Sequence, residues 1–267
     1  MRSTNPVLRR QTFENQAVSG ERMTMNGTVM KTALLLVLAV ITGAWTWHHF
    51  TATLTAAMAQ MPLDMTPAQA QSAVISQALG AVTPFMLGGI VVGLVLTFVM
   101  MFKPRWGGIV APVYALAEGL ALGGISAVMN LKYPNVVLQA VMLTAGVLAV
   151  MLIAYRSGWI RVTDKFRMAV VAGTGAIMLL YLVEIGLHAF TSVSIPFING
   201  SGVIGIGFSL LVVGLAAMNL ALDFDMIEQN TTRGAPKYME WYGAFALMVT
   251  LVWLYLEILR LLAKTRR

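Results

Sequence analysis

Apolar residues in this chain fall in long blocks rather than in alternation. Seven blocks are long enough to cross a hydrocarbon core of about 30 Å as helices. They lie near 32–50, 79–102, 109–130, 135–155, 166–190, 202–222 and 241–263. Backbone groups in lipid must be satisfied within their own segment, so blocks this long and this apolar predict helices. Strands of a barrel would be about 10 residues long and alternating. The expected fold class is therefore all-α: a polytopic membrane protein built as a seven-transmembrane-helix bundle.

The polar stretches divide the chain further. Residues 1–31 predict a polar cytoplasmic N-terminal segment, 32–263 the transmembrane domain, and 264–267 a basic tail. The first apolar block starts too late for a cleaved secretory signal and is expected to remain as a span. The longest connection is 51–78, with Met61-Pro62 and Thr66-Pro67, and Ala68 to Ala78 reads as a short surface helix. Pro84 and Pro112 sit near span starts, where proline is tolerated. Pro196, Asn199 and Gly200 mark the turn between spans five and six. Gly89 with Gly93, and Gly119 with Gly123, are four apart, a spacing that lets helix backbones approach closely.

Composition agrees with this class. Of 267 residues, 58% are hydrophobic and 11% charged, against about 25% charged in soluble domains. Mean hydropathy is +0.77. Absence of cysteine excludes disulfides, thiolate metal sites and cysteine nucleophiles. The net charge of +7 sits in short loops beside spans, a topology signal; the lipid bilayer is the expected partner, with other membrane proteins as a further one, and no nucleic acid is expected. With the N-terminus inside, the inner segments hold 13 of the 18 lysines and arginines, and Lys132 stands alone in the outer loops before the last span. With seven full spans the four remaining cations, Arg260, Lys264, Arg266 and Arg267, lie outside, against the bias; the alternative is a re-entrant late segment that leaves the tail inside.

Carboxylates inside spans are costly and mark candidate sites. Glu118 lies mid-way along the third span, Glu184 in the fifth with His188 one turn later, and Glu257 in the seventh. Asp223, Asp225 and Glu228 crowd the inner end of the sixth, and Glu240 stands at the start of the seventh. Carboxylates converging at low dielectric cannot all ionise and also suit a hard cation such as Ca²⁺. Asp223, Asp225, Glu118 and Glu257 are the leading candidates for proton sensing and cation binding; Glu184, His188, Glu228 and Glu240 come second. Asp223 and Asp225 differ by about 200° around a helix, so they cannot face one partner. Each site has a structural alternative: interfacial capping for the sixth-span cluster, an i,i+4 pair for Glu184 and His188, an ion pair for Glu257 and Arg260. His48 and His49 read as interfacial. No zinc helix or serine elbow is present, and no lysine is expected inside the last span. The chain is not expected to be an enzyme or to hold a cofactor, beyond Ca²⁺ as a permeant ion or ligand.

Several stretches together resemble the Bax inhibitor family of membrane proteins, in its bacterial YccA-like branch. They are Ser3-Thr-Asn5-Pro6-Val-Leu8 with Met23-Thr24-Met-Asn26-Gly27-Thr28; Tyr114-Ala-Leu-Ala-Glu118-Gly119; Thr163-Asp164-Lys-Phe166; Asn219-Leu-Ala-Leu-Asp223-Phe-Asp225; and Gly234-Ala-Pro236-Lys-Tyr238 with Glu257 and Arg260. The resemblance implies six helices around a central last one, and a pH-sensitive Ca²⁺ leak gated by paired aspartates on the last two spans. The sixth-span aspartate falls on Asp223, with Asp225 the second choice. The seventh-span partner falls near Met248 to Thr250, where no acid stands; the nearest are Glu240 and Glu257. Relatives are also linked to stress survival and to modulating a membrane protease, so the alternative function is a non-transporting regulator that binds other membrane proteins. The resemblance places the chain in a bacterial inner membrane.

Overall fold

The computed structural model describes residues 21–60, 66–191, 195, 198 and 200–266. The family-like head before residue 21, the Met61-Pro62 turn, Pro196, Asn199 and Arg267 lie outside the described residues. Among the described residues, seven helices are long and apolar enough to span a membrane. They are α1 (Met25–Ala59), α2 (Pro67–Phe102), α3 (Gly107–Lys132), α4 (Val136–Arg156), α5 (Asp164–Thr191), α6 (Val203–Thr232) and α7 (Met239–Thr265). Among the described residues the only isolated extended pairing is the antiparallel bridge of Arg22 with Pro236.

Two helices are longer than their apolar blocks. α1 has 35 residues and α2 has 36, about 53 and 54 Å at 1.5 Å per residue. The expected 51–78 connection is thus corrected to a short link between Ala59 and Pro67. Residues 68–78 are no separate surface helix but the first turns of α2. The cause is local. Thr66 and Gln69 form a reciprocal capping box with Pro67 at the first helical position, and no breaker follows until Pro84. Pro84 is likewise corrected from a span start to the interior of α2.

α3 carries a face of small residues, and its glycines are where the neighbours come closest. Gly119 and Gly123 lie against α1 at Ala39, Thr42 and Gly43, while Gly89 of α2 lies on Ala117 and Ala121 of α3. The Thr42 hydroxyl donates to the Leu116 carbonyl at 3.0 Å across that contact. These are backbone-to-backbone approaches that any Cβ would block.

α7 is the most buried span, followed by α3. It contributes to two apolar clusters: Ala244, Phe245 and Met248 pack with α1, α2 and α3, while Leu247, Leu251, Leu254 and Ile258 pack with α4 and α6. α5 packs chiefly on α6, where Val170 and Ile177 meet Val212 and Leu215.

The last turn of α7 accounts for the cations that broke the charge bias. Lys264 lies within the helix, a correction to the expectation that the last span holds no lysine. It is buried, and its ammonium donates to the Gly205 carbonyl at 3.1 Å and the Ser209 hydroxyl at 2.7 Å. Arg266 donates to the Pro134 carbonyl and, at 2.8 Å, to Gln139. Their charge also sits at a helix C-terminus, where the dipole favours it. These cations tie α7 to α6 and α4 rather than standing free in a loop.

Candidate functional site

Asp223 is carried by α6 on the side that meets α7. The Thr250 side chain of α7 stands beside its carboxylate. One carboxylate oxygen, Oδ2, is buried without a hydrogen-bond partner, the one such side-chain atom among the described residues. Leaving a buried polar group unsatisfied costs about 1–3 kcal/mol, more when it is charged. A proton, water or cation at Oδ2 would relieve that cost. Thr250 falls inside the 248–250 window where a second acid was expected. Asp223 therefore faces a hydroxyl, and the pair has one ionisable member.

The other predicted residues have separate partners. Asp225 accepts from Arg167 of α5 at 2.6 Å and from Gln229 at 2.7 Å, as its opposed position on the helix requires. Glu228 accepts from the Tyr155 hydroxyl of α4 at 2.5 Å. Both tie α6 to its neighbours near one end of the helix.

Glu118 of α3 lies beside Tyr114, one turn earlier, and stands against Gly93 of α2, where a Cβ would lie 2.7 Å from its Oε1. Gly93 thus makes the room that Glu118 occupies. The Tyr114 ring meets Phe245 of α7 edge-on, 4.7 Å between centroids. Phe245 and Thr250 are about 140° apart around α7, so Glu118 and Asp223 belong to different sides of that helix.

Glu257 is buried at 2% exposure. It accepts from the Tyr181 hydroxyl of α5 at 2.9 Å and from Arg260 at 3.2 Å. Arg260 also donates to the Tyr181 hydroxyl at 2.6 Å and lies over its ring. The helical ion pair is present, and Tyr181 converts it into a bridge between α5 and α7. Glu184 is half-buried and His188 exposed on α5. His49 stacks on Trp45 and meets Phe85 edge-on.

Glu240 forms a latch. It is fully buried, and its Oε1 accepts from the backbone amide and hydroxyl of Thr24, each at 2.9 Å. Its Oε2 pairs with Lys31 of α1, whose ammonium also lies over the Trp241 ring. Gly27 makes room there, since a Cβ would displace the Glu240 carboxylate. Gly234 closes α6 at φ +69° in a Schellman turn, Ala235 donating to Asn230 and Gly234 to Thr231. That turn lays 235–237 beside 21–23, so that Met23 donates to Ala235 and Lys237 to Glu21 through their backbones. The Glu21 carboxylate also pairs with the Lys237 side chain and, as its hydrogen-bond acceptor, holds that ammonium above the usual lysine range.

Sequence reasoning missed three participants: Thr250, Lys31 and Tyr181. None carries a local signal, because each is defined by a partner many residues away. Among the described residues no group of three or more histidines and carboxylates is arranged to hold a metal ion.

No curated protein and no solved structure matches the chain. The family model described as Bax inhibitor 1 like matches residues 5–267. That match runs through all seven spans, the Asp223 segment and the Glu240 latch, and the chain belongs to the Bax inhibitor 1 like family.

Proposed function

We propose that this membrane protein is a proton-sensitive cation leak in which Asp223 is the switching group. The supporting observation is the buried, unpartnered Oδ2 of Asp223 at the α6–α7 seam. A carboxylate there gains a ligand either by taking a proton or by meeting a cation, and the two compete for one oxygen. Ca²⁺ is the favoured cation by class, being hard and oxygen-seeking. Because Thr250 takes the place of a second acid, protonation is a one-group event rather than the titration of a coupled pair. Glu118 packs between Tyr114 and Gly93 and lies on another side of α7, so its role in this reading is structural. The basic bias of the short loops supports a cytoplasmic N-terminus, and a bacterial inner membrane is the location proposed with it.

The test is Ca²⁺ efflux from proteoliposomes. Wild-type protein is expected to leak above protein-free vesicles, Asp223→Asn to lose most of that leak, and Glu118→Gln to keep it. Wild-type flux equal to that of empty vesicles sinks the proposal.

A second reading is a regulator that docks other membrane proteins, such as a protease or a stress-response partner, through its polar head. Its support is the way the head is rooted: residues 21–24 are fixed against 235–240 by backbone and side-chain bonds. Removing residues 1–20 is then expected to abolish partner recovery while the bundle stays folded; unchanged recovery counts against it.

A further inference from the structure

We infer that the depression between the start of α1 and the α6–α7 turn binds the phosphate of one anionic phospholipid headgroup, with Arg22 as its principal ligand. The depression has a volume of about 640 Å³ and is walled by Glu21, Arg22, Met30, Lys31, Lys237 and Glu240, among others. Three cations therefore converge from three segments, facing two carboxylates. Those carboxylates are already used: Lys31 pairs with Glu240 and Lys237 with Glu21. Arg22 stays exposed, and among the described residues no carboxylate pairs with it. With these five groups ionised, the depression carries one positive charge, the complement of one phosphodiester. A guanidinium also presents forked donors suited to phosphate oxygens.

A lipid is favoured over a soluble phosphate by what flanks the charge. Val29 and Met30, on the same turn as Lys31, are 57% and 71% exposed and offer an apolar wall to an acyl chain. Trp241, under Lys31, and Trp106, under Lys103 and 57% exposed, lie at the same end of the bundle, and such aromatics mark the headgroup level. A soluble anion would meet the charge and leave the apolar wall uncovered. The site is separate from Asp223 and stands whether or not the chain leaks ions.

The full chain, purified from vesicles of equimolar phosphatidylcholine and phosphatidylglycerol, would be examined by native mass spectrometry for retained lipid. Wild type is expected to keep phosphatidylglycerol in preference to phosphatidylcholine. Arg22→Gln is expected to lower phosphatidylglycerol retention about fivefold, the factor one basic residue is worth near an anionic surface, leaving phosphatidylcholine unchanged. Arg22→Lys should keep most of the retention, and Lys103→Gln, outside the depression, all of it. Equal retention by Arg22→Gln and wild type would overturn the site, as would an equal loss in Lys103→Gln. Displacement of the lipid by millimolar glycerol 1-phosphate would overturn its assignment to a lipid in favour of a soluble anion.

Discussion

Replacing Gly123 by alanine tests the packing that sets α1 against α3. A Cβ at this position would stand 2.8 Å from Gly43 Cα and 2.9 Å from Gly43 C, backbone atoms that cannot rotate away. Carbon atoms prefer separations of about 3.5–4.0 Å, so α1 must retreat by about 0.7 Å or more. That retreat loosens its other approaches to α3, at Gly119 and at the Thr42 bond to Leu116. Overpacking of this kind costs about 1–3 kcal/mol. Gly146 of α4 is the control, since nothing lies within 4 Å of a Cβ there. Gly146→Ala should be neutral or stabilising by about 0.5–1 kcal/mol, because alanine is the better helix former. Both are read by reversible unfolding in mixed micelles with increasing denaturing detergent. Opposite or clearly separated shifts are expected. If Gly123→Ala unfolds at the wild-type midpoint, the close approach of α1 and α3 is wrong.

Three further outcomes are expected. Glu240→Ala removes the partner of Lys31 and of both Thr24 donors at a buried position; it should cost about 3 kcal/mol, with a double-mutant cycle to Lys31→Met showing strong coupling, and additive effects would refute the latch. Tyr255→Phe leaves buried Ser126 without its 2.6 Å bond, which should cost about 1 kcal/mol in the same unfolding assay; a stabilised variant would contradict it. The chain has no cysteine, so single cysteines report topology cleanly: an impermeant maleimide on intact cells should label Thr265→Cys and spare Ser3→Cys, and labelling of both from one side would rule out seven spans.

Much of the fold is legible because it follows from block length and local periodicity. Seven apolar blocks give seven helices, Gly89, Gly119 and Gly123 meet neighbouring backbones while Gly93 meets the Glu118 side chain, and the about 200° between Asp223 and Asp225 sends them to different partners. The ends of α1 and α2 are less legible, because residues 51–59 and 68–78 are too polar for the hydrocarbon yet contain nothing that stops a helix. The Thr66-Pro67-Ala-Gln69 cap was the available signal for where α2 begins. The candidate site is less legible again. Glu240 finds Lys31 across 209 positions, and Thr250 answers Asp223 only because α6 and α7 pack side by side. Spacing rules reach one or two helical turns, and these pairs lie beyond them. The basic tail misleads for a related reason: a charge count treats Lys264 and Arg266 as solvated, whereas carbonyls of other helices and loops hold them.

The proposal that Asp223 switches a leak is tested most directly by following one pH series with two readouts on the same proteoliposomes. One is Ca²⁺ efflux; the other is the infrared carboxylic-acid band that disappears in Asp223→Asn. A leak that changes with pH at the same midpoint as that band, with the slope of a single group, is the expected result. Efflux that is absent, insensitive to pH, or displaced from the Asp223 protonation midpoint would contradict the proposal.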